Sequence, residues 1–321
     1  MFWKRAKLPE VTLDDALGDA GLVKARDLAR AGDWAAVREM FAETVGDWER
    51  RALYANVLGK VDRVWLDDWL AAAPDDPGLW VLLANREADR AGRARGAGKA
   101  SETSREQFAD FHYFMARAAE ACERAAALNP DDPTPWIQSI WTLFGHRSGA
   151  PFEKRFAELT ARDPFSYLGH EAAVQYRTKK WFGSHGAMYE LARSAAASAP
   201  PGSPLHALPV QAHIEYALRE FFWGDNPNGA EQNLEFWNSP DVVREVEAAR
   251  ADWLAAGPPR HPAAPKVRGV FAFVASWGER WRPALADFRE LGPVASEYPW
   301  YYRGRPAEIL RACQVRAARA R

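Results

Sequence analysis

The sequence predicts an all-α chain of antiparallel helical hairpins, and three observations predict it. Proline directly follows a capping residue at Asp76-Pro77, Asp132-Pro133, Asp163-Pro164, Ser203-Pro204, Asn226-Pro227 and Ser239-Pro240, each time ahead of apolar residues at helical spacing. Proline suits the first helical position because its missing N–H would have no partner there, and the residue before it can cap the first turn. Glycines at Gly92, Gly145, Gly183, Gly224 and Gly257 mark the far ends, where a left-handed residue closes a helix. Strand-like alternation between turn residues is nearly absent.

In chain order this punctuation gives roughly fourteen helices with short connections. Residues 20–31 pair with 33–45, 47–60 with 62–73, and 77–92 with 104–128. Then 133–146 pair with 150–161, 164–182 with 185–198, and 204–223 with 227–238. A helix over 240–256 precedes the pair 262–277 and 281–291, and the last helix covers 306–319. Ser104 and Gln107 form a capping box. Behind it Phe108, Phe111, Met115, Ala118, Cys122 and Ala125 step by three and four, a seam facing neighbours along its length. Cys122 on that seam reads as a small buried hydrophobe. The one β-like run, "RGVFAFVASW", lies between Pro265 and Gly278 and reads as a buried helix. The whole, 1–321, is read as one elongated domain, with 1–19 an N-terminal extension and 294–321 a C-terminal cap.

Composition narrows the function. The 42 basic and 43 acidic residues nearly cancel, so no global field draws the chain to nucleic acid or a membrane. Two cysteines, Cys122 and Cys313, cannot make a disulfide framework or a four-cysteine zinc site, and the usage fits a reducing, cytoplasmic setting. The opening "MFWKRAKLPE" has no apolar core of the secretory type, and no apolar run approaches the roughly 18 residues of a membrane span. The 15 tryptophans call for an aromatic core or an aromatic groove.

Several helix starts share a phrase. Trp80, Trp136 and Tyr167 each lie four residues after Asp76, Asp132 and Asp163, and second helices carry Ala36-x3-Met40, Ala187-x3-Leu191 and Ala284-x3-Phe288, with Phe152-x3-Phe156 as a variant. Phe165-x2-Leu168-Gly169 and Ala187-x3-Leu191 followed by Pro200 resemble the two halves of a tetratricopeptide repeat, and "AAALNPDDPTPW" resembles a junction between two units. Spacings of 56 and 31 between the starts at 76, 132 and 163 make the repeats degenerate. The chain is also similar to a class of bacterial proteins of this type, which brings a fold and no activity. The resemblance implies an irregular right-handed α-solenoid whose stacked hairpins leave a concave surface for a peptide or protein partner.

Enzymatic motifs are incomplete. In residues 92–101, "GRARGAGKAS", Gly92 and Gly98 are separated by five residues, Lys99 precedes Ala100, and a helix stands where a phosphate loop needs a strand. The seven histidines, His112, His146, His170, His185, His206, His213 and His261, form no H-E-x-x-H, and Pro209 interrupts the spacing from His206 to His213. Ser184 and His185 are neighbours and cannot face each other within a helical turn. No catalytic residue, metal ligand or cofactor is assigned.

The groove has better candidates. Trp136, Gln138 and Trp141 fall on one first helix, His170, Glu171, Gln175 and Arg177 on the next, and His213, Glu215, Tyr216 and Arg219 on a third. Polar groups interleaved with aromatics suit a peptide with an anchor side chain and a carboxylate; the competing reading makes the aromatics core. Lys179, Lys180 and Ser184, at the corner "TKKWFGSHGAMYELARS", are read as two lysines in a helix's last turn, Gly183 as its left-handed stop, and Ser184 as the next N-cap, able to hold an anion. The basic end, with Arg316 and Arg319, reads as a capping helix, and "EYPWYYRG" as an aromatic surface or a packing segment. The sequence therefore predicts a non-enzymatic binding or scaffold protein. The alternative is a helical enzyme or small-ligand sensor with a polar pocket around His170, Glu171 and His213.

Overall fold

The structure is a computed structural model that describes residues 8, 10–62, 64–96, 98, 102–145, 151–224 and 226–320. His146, Lys99 and Ala100 lie outside the described residues. Sixteen α-helices occur among those described: α1 Ala20–Ala31, α2 Trp34–Ala42, α3 Trp48–Leu58, α4 Trp65–Ala72, α5 Pro77–Arg95, α6 Arg105–Leu128, α7 Thr134–Thr142, α8 Phe152–Arg162, α9 Tyr167–Tyr176, α10 His185–Ser198, α11 Leu208–Ala217, α12 Gly229–Asn238, α13 Pro240–Leu254, α14 Ala264–Trp277, α15 Trp281–Glu290 and α16 Pro306–Arg319. The chain divides into two compact units, Asp19–Tyr176 and Met1–Gly18 with Arg177–Arg321.

Capping chemistry starts most of the first unit. Asp19, Asp33 and Asp47 accept from Leu22, Ala36 and Arg50 N–H groups at 2.8, 3.1 and 3.2 Å. Asp76 accepts from Gly78 N at 2.9 Å with Pro77 at the first position, and Ser104 with Gln107 completes the capping box. Ion pairs fix the direction of α5 against α6: Asp75 meets Arg124, Glu87 meets Arg117, and Arg95 O accepts from Gln107. Numbers rise on one helix as they fall on the other, so this pair is antiparallel. The seam of α6 buries Phe111, Met115, Ala118, Cys122 and Ala125, with Phe108 half-buried. Burial pushes the Cys122 thiol up to about 12, as an inert core residue requires. Gly169 lets α8 and α9 close together, since a Cβ there would lie 2.3 Å from Leu159 Cδ2.

In the second unit, α10 and α11 run antiparallel: His185 meets Glu220, Tyr189 meets His213, and Pro200 O meets His206. Ser203 caps a 3-10 turn, Pro204–Ala207, that leads directly into α11, where Pro209 occupies the first turn and costs no hydrogen bond. α11 then widens into a π-helical turn, Leu218–Phe222, closed by Trp223 N donating to Leu218 O at 3.0 Å. α14 is the run "RGVFAFVASW" and is buried all round from Gly269 to Trp277. A two-residue parallel pairing of Thr12–Leu13 (β1) with Val294–Ala295 (β2) ties residues of the N-terminal extension to the cap segment; no sequence pattern announced it.

Four end signals are corrected, the first being Gly145, which ends a 3-10 turn, Leu143–Gly145, without a positive φ. Gly92 lies inside α5, which continues to Arg95 and stops at Gly96, the residue with φ +72°. α9 ends at Tyr176, so Lys179 and Lys180 sit in an irregular turn rather than in a helix's last turn, and no dipole argument applies to them. Gly183 is not left-handed. It is glycine because a Cβ would stand 2.0 Å from Arg177 O, the turn folding back on itself as Gly183 N donates to Thr178 O. Gly224 and Gly257 do adopt positive φ, and Ser184 does cap α10, accepting from Ala187 N at 3.1 Å.

Candidate binding surface

The candidates divide between the units. Trp136, Gln138, Trp141, His170, Glu171 and Gln175 belong to the first, and Arg177, Lys179, Lys180, Ser184, His213, Glu215, Tyr216 and Arg219 to the second. In the first unit the packing alternative describes the aromatics well. Trp141 stacks on Phe144 at 5.0 Å, Phe144 meets Tyr176, Tyr176 stacks on Phe152 at 4.6 Å, and Phe152 continues to Phe156 and His170. Trp136 carries the Arg162 guanidinium over its ring at 5.2 Å, and Gln138 is buried. His170 is buried, its Nδ1 2.7 Å from Ser166 O, and burial lowers its pKa, which keeps the ring neutral.

The second unit brings its candidates together. Glu215, buried, accepts from Lys180 Nζ and from Tyr302 Oη, each at 2.6 Å. Burial, then the Glu215 charge, pushes the Tyr302 hydroxyl well above its ordinary pKa, so it stays a donor. His213 lies between Tyr189 Oη at 2.7 Å from Nδ1 and Glu245 Oε2 at 2.9 Å from Nε2. Both ring nitrogens are therefore engaged, one by the phenol and one by the carboxylate. Arg193 closes the chain with two bonds to Glu245 at 2.7 and 2.9 Å, and hydrogen bonds from His213 and Arg193 hold the Glu245 carboxyl down at about 2. Beside it, His185 Nε2 lies 2.7 Å from Glu220 while Lys179 binds the same oxygen at 3.1 Å; His185, then Lys179, lowers the Glu220 pKa. Tyr216 packs edge-on to His185 and stacks on Phe236.

What sequence reasoning missed lies on the rim of this network. The π-helical turn carries Phe222, and Trp223 follows it; they are 43% and 40% exposed, and Tyr301 is 46% exposed. Ring and cation distances make these one surface. Phe222 stacks on Trp277 at 5.4 Å, Arg303 lies over Trp277 at 5.8 Å, Lys180 lies 5.4 Å from the Trp223 ring and 5.9 Å from Tyr302, and Tyr302 adjoins Tyr301 at 4.5 Å. In "EYPWYYRG" Trp300 is fully buried while Tyr301 faces solvent, so the segment both packs and presents. A π-turn leaves no period-3.6 signature, so position in sequence could not mark Phe222 and Trp223.

The first unit also holds a cleft of about 550 Å³, floored by Phe41, Trp69 and Pro74 and edged by Arg38, Asp75 and Asp76, none of them among the sequence candidates. Among the described residues no group of three or more His, Cys, Asp or Glu could hold a metal ion, and no helix is long and apolar enough to cross a membrane. No family model, curated protein or solved structure matches the chain. Its class is therefore set by the fold alone: an all-α protein in two helical units.

Proposed function

We propose that the chain is a non-catalytic binding protein and that the surface formed by Phe222, Trp223, Tyr301 and Tyr302 with Lys180 and Arg303 engages a peptide segment of a partner. The observation that carries this reading is the exposed Phe222-Trp223 pair on a π-helical turn with the Lys180 ammonium against the Trp223 ring. Aromatic rings interleaved with cations are the composition of protein-interaction hot spots, and π-turns recur at functional sites. An acidic peptide with an apolar or aromatic anchor fits: the rings seat the anchor, and Arg303 and Lys180 lie within reach of its carboxylate. The polar candidates beneath have a supporting part, since Glu215 spends its oxygens on Lys180 and Tyr302 and so holds both in place.

On this reading the helices are irregular tetratricopeptide-like hairpins, and Tyr216, Arg177 and Arg219 extend the recognition surface within the second unit. The alternative, a polar catalytic or sensory pocket at His170, Glu171 and His213, draws less support, because both ring nitrogens of His213 are engaged and burial keeps His170 neutral. The test is selection from a displayed peptide library followed by titration of the selected peptides. Enrichment of acidic-aromatic sequences that lose about tenfold or more in affinity to Trp223→Ala, with an unchanged melting temperature, supports the assignment. Selected peptides that bind Trp223→Ala and Arg303→Ala as well as the native chain would sink it.

A further inference from the structure

The second unit also gathers three arginines around one buried carboxylate, using none of the residues of the aromatic surface. α13 supplies Glu247 and Arg250, α14 supplies Arg268, α15 supplies Asp287, and Arg280 stands at the N-terminus of α15. Arg250 Nη1 donates to Asp287 Oδ1, Arg268 Nη1 stands 4.0 Å from the same oxygen, and Arg280 Nη1 reaches Glu247 Oε1 at 3.4 Å. The arginine side chains keep only 15%, 13% and 15% of their exposure and Asp287 2%, whereas Glu247 is 46% exposed.

Two of the guanidiniums are held flat by rings exchanged between neighbouring helices. Arg250 of α13 lies over Phe271 of α14 at 4.9 Å, and Arg268 of α14 lies over Trp253 of α13 at 4.8 Å. Stacking engages the face of a guanidinium and leaves its N–H edge for acceptors in the plane. On those edges Nη2 of Arg250 and both Nε and Nη2 of Arg280 are buried and have no acceptor, while Arg250 Nε stands 3.5 Å from Glu247 Oε2. Each guanidinium carries five N–H donors. The carboxylates that act on them are Asp287, the half-solvated Glu247 and, on Arg268, Glu290; one oxygen of Asp287 is itself without a donor, yet the N–H donors still outnumber the acceptor oxygens. Burial holds Arg268 and Arg280 below the ordinary arginine range, and Arg250 repels both.

We propose that this cluster binds a phosphate-type oxyanion, as the inorganic ion or as a monoester, with Arg250 and Arg280 supplying the N–H edges and Arg268 further positive charge. A tetrahedral dianion offers several acceptor oxygens and matches the planar fork of arginine. Asp287 competes with it for Arg250, which sets the sign of the decisive variant.

The experiment is calorimetric titration at neutral pH with inorganic phosphate, and separately with O-phosphoserine, against sodium chloride at matched ionic strength. Saturable binding of either ligand is expected; the tighter one tells the ion from the monoester. Arg280→Gln is expected to weaken binding about tenfold, and Asp287→Asn to tighten it about threefold or more, opposite to the effect of a general loss of structure. Near-UV circular dichroism checks that each variant is folded, and Arg280→Gln decides alone if Asp287→Asn is not. Heats equal to chloride for both ligands, or unchanged binding by folded Arg280→Gln, overturn the proposal.

Discussion

Arg51 donates from Nε to Asp132 Oδ2 at 2.7 Å, across 81 residues of sequence, with the two side chains 2% and 1% exposed. The other carboxylate oxygen of Asp132 accepts from Thr134 N at 2.8 Å, so one side chain both starts α7 and anchors α3. Arg51 is further held by Phe41 O, Thr44 Oγ1 and the Phe41 ring. Asp132→Asn keeps the cap oxygen but turns an amide toward a buried cation. Removing one partner of a buried pair is strongly destabilising because the other charge is left uncompensated, and a loss of about 3–5 kcal/mol is expected. Urea unfolding measures it. Adding Arg51→Met should recover part of the loss, since the two changes share one interaction. A cost of Asp132→Asn below about 1 kcal/mol would show that the pair does not hold α3 to α7.

Two glycines that look alike in sequence should respond in opposite directions. Gly92 sits in the interior of α5 with nothing within 4 Å of a built Cβ, so Gly92→Ala should stabilise by roughly 0.5–1 kcal/mol through helix propensity and reduced unfolded-state entropy. At Gly183 the same methyl meets backbone, 2.0 Å from Arg177 O, and the turn must open to accept it. Gly183→Ala should lower the thermal midpoint distinctly where Gly92→Ala raises it. Matching shifts of either sign contradict the close approach of the 177–183 turn.

This contrast shows how much of the molecule the sequence carried. Helix starts were legible wherever a side chain next in sequence does the work, as at Asp76, Ser104 and Ser184. Helix ends were less so, because Gly92 and Gly183 serve roles that depend on what lies opposite, and only Gly96 has the positive φ near the end of α5. Of the candidate residues, His213, Glu215 and Lys180 could be named by type and position, but their partners Tyr189, Glu245 and Tyr302 lie 24, 32 and 87 residues from His213 or Glu215. Phe222 and Trp223 were missed because a π-turn shifts the helical register. Asp132 was recognised as a cap and not as an ion-pair partner, since nothing local announces a contact 81 residues away.

The thiols give a test of burial. Cys122 and Cys313 are 3% and 6% exposed, and burial raises the thiol pKa of both, Cys122 to about 12. Thiolate is the reactive species, so neither should titrate with a disulfide reagent at pH 8 in the native chain, and both should react at once in denaturant. Fast native labelling of Cys122 would contradict the packing of the α6 seam.

The Tyr189–His213–Glu245–Arg193 chain predicts an acid-sensitive contribution of definite sign. The Glu245 carboxyl ionises near 2 in the folded chain, below its ordinary 4.5, so the folded state binds fewer protons than the unfolded state between those values. Stability from this group is complete above about pH 4.5 and falls as pH drops toward 2. The side chain is 27% exposed, and solvent screening reduces the contribution to the order of 1 kcal/mol. Glu245→Gln keeps an acceptor for His213 and Arg193 and removes the titration. In urea unfolding, native and Glu245→Gln should differ by about 0.5 kcal/mol more at pH 7 than at pH 3, where part of the contribution remains. Equal differences at the two pH values would mean that Glu245 is not held by His213 and Arg193 in solution.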